Sequence, residues 1–320
     1  MKIVEVMLNS EKAKTEEFLS RFDLKYEKDI VYTLNCIEND KIIGTISCSK
    51  NVIKCMAVDE SYQGLNIAAN LISRIIQYIY YLGTDSIFVY TKPENKDIFL
   101  SMGFSEIIST ENTCLLEMYS DINIILSDIK EKYHLNEESY AAIVMNCNPM
   151  TNGHLYLIER CSNENKNVIV FVVEEDKSYF KFNERFEIVT KECERFSNVV
   201  VIPATQYIIS GATFPTYFYK DEVDVDNESM MIDLGIFKKY FMPLFNITKR
   251  YVGTEPYDKL TNNYNIKMKE ILKDLVVIER KKINDKYISA SYVRKLIKEE
   301  KLEELKKLVP PSTYELISLR

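Results

Sequence analysis

The sequence is short of several things that whole classes of protein need. Two of its 320 residues are histidine, His134 and His154, which excludes a His-rich metal centre. The seven cysteines are odd in number, scattered, and include no CxxC pair, so neither a disulfide framework nor a zinc site is indicated. Thiols of this kind are ordinarily small core residues. No apolar run reaches membrane-spanning length and the N-terminus lacks the apolar stretch of a signal peptide, so a cytoplasmic protein is the simplest expectation. A dense basic stretch interleaved with aromatics is also missing. With Lys+Arg 41 against Asp+Glu 48, net −7, an extended nucleic-acid groove is not expected, although a local basic pocket for a small anion remains open. There is no internal repeat or low-complexity tract.

What is present suits two globular domains. At 320 residues and 46% hydrophobic, the chain is long for one core. Alternating runs at 30–37 and 41–48 flank the turn Glu38-Asn39-Asp40 and read as a hairpin; strands follow at 52–58 and 86–90. Leu71, Ile72, Ile75, Ile76 and Ile79 recur at helical spacing over 69–81, and 93–102 reads as a further helix. A charged stretch at 121–139 reads as a helical connection between domains at 1–120 and 140–320. Beyond it strands at 141–147, 167–173, 199–202, 249–253 and 275–279 alternate with helices, which predicts a doubly wound parallel sheet with ligands at its carboxyl edge.

Two motifs far apart in sequence carry the chemistry. Thr151-Asn152-Gly153-His154 follows an apolar strand and the turn Asn148-Pro149-Met150, which places His154 near a helix N-terminus. Free N–H groups and the helix dipole attract phosphate there, and an imidazole can donate to charge developing on a phosphoryl oxygen. Ile288-Ser289-Ala290-Ser291-Tyr292-Val293-Arg294 opens a second helix, where Ser289 or Ser291 can cap and Arg294 can face a phosphate. Gly253, at the end of a strand, is a candidate for contact with adenine or ribose.

The first segment resembles the GNAT acetyltransferase superfamily. The resemblance rests on the strand ending at Val58, on Gln63-Gly64-Leu65-Asn66-Ile67-Ala68, and on Asn95 through Phe104. It implies that Gln63, Gly64, Asn66 and Ala68 hold the pyrophosphate of a coenzyme-A-like group, with Asn66 standing where the family has its central glycine. The motifs at Thr151–His154 and Ser289–Arg294 resemble the HxGH/TxGH nucleotidyltransferase superfamily. That likeness implies phosphate contacts from Thr151, Asn148, Gly153, His154, Ser289, Ser291 and Arg294, with Lys177 and Arg185 as further cationic support.

Residues 146–159, 171–182, 207–218, 252–257 and 283–287 narrow the likeness to the citrate lyase ligase family, including its order of a GNAT-like part before a nucleotidyltransferase part. The fold implied is α/β: a mixed α+β GNAT-like domain, then a doubly wound, Rossmann-like sheet. The activity implied is ATP-dependent formation of acetyl-adenylate, then acetylation of the prosthetic-group thiol on the acyl carrier subunit of citrate lyase. AMP and diphosphate are released, and Mg2+ arrives with the ATP phosphates. Ser210, Gly211, Thr213 and Phe214 are the expected acetate pocket. Two other readings stay open: adenylylation of a small phosphate substrate, and a GNAT N-acetyltransferase with an ATP-binding regulatory domain.

Overall fold

The computed structural model describes residues 1–84, 86–174, 178–208, 214–219, 222–255, 259–283 and 286–319. The chain divides into two compact units: Met1–Ile124 with Thr213–Ile232, and Ile125–Ala212 with Asp233–Arg320. The second unit therefore differs from the contiguous domain from 140 expected from the sequence, because about twenty residues of its length belong to the first.

The first unit is built on a sheet of seven strands in the order β1-β2-β3-β4-β5-β7-β6. These are β1 (Lys2–Glu5), β2 (Tyr32–Glu38), β3 (Lys41–Ser49), β4 (Val52–Val58), β5 (Ile87–Thr91), β6 (Ser105–Ser109) and β7 (Cys114–Met118). Neighbours are antiparallel except β4 and β5, which are parallel and in register at Val52–Phe88 and Ile53–Val89. Beyond those pairs the two strands part and leave a cleft. The helices are α1 (Asn9–Ser20), α2 (Ile67–Tyr81) and α3 (Lys96–Leu100). α2 buries Ile67, Leu71, Ile72, Ile75 and Ile79, the apolar stripe its spacing predicts. The helix expected over 93–102 is shorter: a 3-10 turn at Pro93–Asn95 precedes α3.

The chain enters the second unit within α4 (Ile122–Lys132). Its sheet has five parallel strands in the order β10-β9-β8-β11-β12: β8 (Tyr140–Met145), β9 (Val168–Val172), β10 (Val199–Pro203), β11 (Ile247–Gly253) and β12 (Leu275–Ile278). Such a sheet is covered on both faces. Ala141, Ile143, Met145, Val168, Val170 and Val172 share one core with α5 (Asn152–Glu164) and α6 (Phe182–Cys193). On the other face Phe171 meets the rings of Phe237, Phe241 and Phe245 at centroid distances of 6.2, 5.5 and 5.7 Å. Those rings follow α7 (Glu222–Ile236), through a π turn at Phe237–Phe241 and α8 (Met242–Leu244). α9 (Lys259–Ile271) links β11 to β12; a hairpin of β13 (Lys282–Ile283) and β14 (Lys286–Tyr287) then leads to α10 (Ala290–Lys298), α11 (Leu302–Leu308) and α12 (Pro311–Ser318). The strand order reverses between β8 and β11, and at such a switch point the carboxyl edge opens into a crevice.

Candidate active site

β8 ends at Met145, and Asn146 and Cys147, expected in the strand, already belong to the turn. Thr151 caps α5: its Oγ1 accepts from the His154 N–H at 3.4 Å, and its own N–H donates to His154 Nδ1 at 2.9 Å. A ring nitrogen that accepts carries no proton, so neutral His154 holds its proton on Nε2. Burial, reinforced by Arg280, pushes the imidazole from its ordinary 6.5 down to about 4. At neutral pH His154 is therefore an uncharged donor.

α10 begins in the same manner. Ser289 Oγ accepts from the Tyr292 N–H at 3.2 Å, the Ser291 hydroxyl donates to Ser289 Oγ at 3.5 Å, and Val293 and Leu296 anchor the helix in the core. Two contacts bring the motifs together. Arg294 Nη1 donates to the Asn148 carbonyl at 2.5 Å. Gly153 packs on Ile288: a Cβ there would lie 3.6 Å from both Cβ and O of Ile288, an ordinary contact, and 3.3 Å from Thr151 Oγ1, a tighter one. Thr151, Gly153, His154, Gly253, Ser289, Ser291 and Arg294 all line one cavity of about 410 Å3. Two helix N-termini and a guanidinium stand beside an uncharged imidazole donor, groups of the kind that suit an anion.

Other expected residues lie elsewhere. Arg185 is fully buried; Nη1 donates to the carbonyls of Asn146 and Val173, each at 2.7 Å, and Nε to that of Phe180 at 3.1 Å. These donors tie the ends of β8 and β9 to the start of α6, which makes Arg185 a positioning residue rather than a phosphate contact. Asn148 accepts from Arg294 through its carbonyl and from the Phe180 N–H through Oδ1, at 3.1 Å; it supports the site from behind. Lys177, Ser210, Gly211 and Thr213 lie outside the described residues. Phe214 packs in the first unit, edge-on to Tyr90 with centroids 5.3 Å apart.

Sequence reasoning missed two arginines on the cavity wall, Arg250 and Arg280. Arg280 pairs with Glu255 and lies just past β12, where the carboxyl-edge rule would have drawn attention to it. Arg250 sits inside a strand, where sequence offers no such cue.

The first unit has its own cavity, of about 850 Å3, in the cleft between β4 and β5. Gln63, Gly64, Asn66 and Ala68 line its mouth. Asn66 adopts the left-handed conformation, φ 58° and ψ 19°, at the start of α2; asparagine tolerates this better than most residues, so the turn forms without the glycine. Tyr217 and Phe218 line the same cavity. The Tyr217 hydroxyl donates to the Tyr90 carbonyl at 2.7 Å, and Thr216 N–H and Oγ1 donate to Glu27 at 2.5 and 2.6 Å.

Fold and site together define a fused protein: a GNAT-like unit followed by a doubly wound unit whose cavity lies at the switch point of its sheet. Comparison with known proteins agrees. A model of the acetyltransferase (GNAT) domain matches residues 8–114, and a model of the citrate lyase ligase C-terminal domain matches residues 140–317. The [Citrate [pro-3S]-lyase] ligase of Haemophilus influenzae is 35% identical over 310 residues, covering 93% of this chain and 92% of its own length. Those of Klebsiella pneumoniae and Escherichia coli K12 are 32% identical over 311 and 33% over 315 residues, covering 94% and 95% of this chain and 91% and 90% of theirs. The chain belongs to the citrate lyase ligase family.

Proposed function

We propose that this chain uses ATP to activate acetate as acetyl-adenylate and passes the acetyl group to the prosthetic-group thiol of the citrate lyase acyl carrier subunit, releasing AMP and diphosphate. The observation that carries this reading is the convergence of the Thr151–His154 cap and the Ser289–Arg294 helix on one cavity at the switch point of the sheet.

Acetate is ionised at neutral pH, so the first step requires no general base. One carboxylate oxygen bonds to the α-phosphorus as the bond to the diphosphate oxygen breaks, and the electron pair leaves with diphosphate. Arg294, the N–H groups at the starts of α5 and α10, and the Nε2–H of His154 support the departing charge. The carrier's thiolate then bonds to the acetyl carbon, and the acyl–oxygen bond to AMP breaks. Among the described residues no group of three or more His, Cys, Asp or Glu is placed to hold a metal ion. In the first unit, the left-handed turn before α2 and the cavity behind it support a role in holding the carrier's coenzyme-A-like arm. Seven buried, reduced cysteines suit a cytoplasmic setting, and among the described residues no helix is long and apolar enough to cross a membrane.

The test is ATP–diphosphate exchange. The wild type is expected to exchange only with acetate present, and His154→Ala to lose about a hundredfold in rate, the usual scale for removing one such donor. A dinucleotide product formed without acetate would instead select adenylylation of a phosphate substrate.

A further inference from the structure

Arg250 is a buried cation that the phosphate site leaves unused. It stands in the middle of β11, in register with Ala142 of β8 and Leu275 of β12, and is 4% exposed. A parallel strand covered on both faces ordinarily carries an apolar residue at such a position. The guanidinium lies over the ring of Phe237, with Cζ 4.3 Å from the centroid. Its Nε and Nη1 have no hydrogen-bond partner among the described residues. Tyr264, whose hydroxyl donates to the buried Asp233 of α7, lies beside the same guanidinium and interacts with it. Idle donors on a buried cation are costly, and they persist where a ligand supplies the acceptor.

The cavity that Arg250 lines is the one that His154 and Arg294 line. Side chains alternate along a strand, so Arg250 shares a face of the sheet with Val252 and with Ala142 and Val144 of the neighbouring strand. Val144 and Val252 line the cavity, as does Met268 of α9. One side of this cation is thus an apolar sheet face and the other carries Tyr264, an arrangement suited to a short alkyl group attached to a single anionic head.

We infer that Arg250 anchors the carboxylate of the acid substrate. This rests on the acid-activating reading above and deepens it by naming a contact for the acid. An idle N–H of Arg250 holds one carboxylate oxygen, while the other bonds to the α-phosphorus as diphosphate departs with its electron pair. No proton moves in this step. The apolar face of Val144, Val252 and Met268 favours an acid with a small alkyl group over a charged or strongly polar one.

Arg250→Lys and Arg250→Met in the full chain test the assignment, with the dissociation constant for ATP measured calorimetrically without acetate and KM for acetate measured by exchange. KM for acetate is expected to rise at least about tenfold in the lysine variant and further in the methionine variant, with ATP affinity within about twofold of wild type. The intact ATP affinity doubles as evidence of folding. Unchanged KM for acetate in a variant that binds ATP overturns the assignment, as does parallel loss of ATP and acetate binding in both variants. Wild-type protein that binds ATP but never exchanges diphosphate in response to acetate overturns the acid-activating reading itself, before any variant is made.

Discussion

The protonation state of His154 offers a direct test of the site, because the chain has two histidines and one substitution, His134→Gln, assigns both imidazoles in a nitrogen-resolved NMR titration. The Nδ1 of His154 accepts from the Thr151 N–H at 2.9 Å, which puts the proton on Nε2. Burial, then Arg280, lower the pKa from 6.5 to about 4. At about 1.4 kcal/mol per pH unit, that difference corresponds to about 3 kcal/mol favouring the neutral ring. Below pH 6.5 the unfolded chain takes up this proton while the folded chain does not. The stability contribution is therefore complete above pH 6.5 and is lost as pH falls towards about 4, by up to about 1.4 kcal/mol per unit. The expected spectrum has one imidazole in the Nε2–H form throughout the neutral range, titrating near pH 4. An imidazole at position 154 that titrates near 6.5, or carries its proton on Nδ1, would refute the assignment of His154 as an uncharged donor.

Two further outcomes separate supporting residues from contacts. Arg185→Met leaves the carbonyls of Asn146, Val173 and Phe180 without their charged donor. It should cost about 3 kcal/mol or more and lower the thermal unfolding midpoint by at least about 5 °C, with ATP affinity kept where the protein is folded; a stable variant without ATP affinity would return Arg185 to the substrate. Gln63→Glu places a negative charge at the mouth of the cleft in the first unit. Carrier acetylation should fall at least about tenfold with acetate-dependent exchange intact, and equal loss of both activities would count against an arm-holding role.

Local signals were the legible ones. The strands at 52–58 and 249–253 and the stripe on α2 could be read because period and apolar content decide them within a few residues. The two phosphate motifs could be read for the same reason, since a cap and a helix N-terminus are properties of neighbouring residues. β1, a short edge strand, and α1, whose outward residues are mostly charged, gave weak periodic signals and passed unread. Arg250 was illegible because nothing in Thr248-Lys249-Arg250-Tyr251 distinguishes a cation facing a cavity from one facing solvent; topology decides that. Phe214 was read as part of an acid pocket from its neighbours in sequence, whereas its ring packs on Tyr90, over a hundred residues away in the chain.

The return of 213–232 to the first unit bears on how such a protein can be inherited and dissected. The covalent chain passes between the units three times, after Ile124, Ala212 and Ile232. A gene fragment stopping at the end of β7 would encode a GNAT-like half without Tyr217, leaving the Tyr90 carbonyl and the surface of Phe18, Leu19 and Ile30 uncovered. Shuffling the two parts by simple end-to-end fusion could not regenerate this arrangement. A dissection that keeps the first unit whole must carry 213–232 with it.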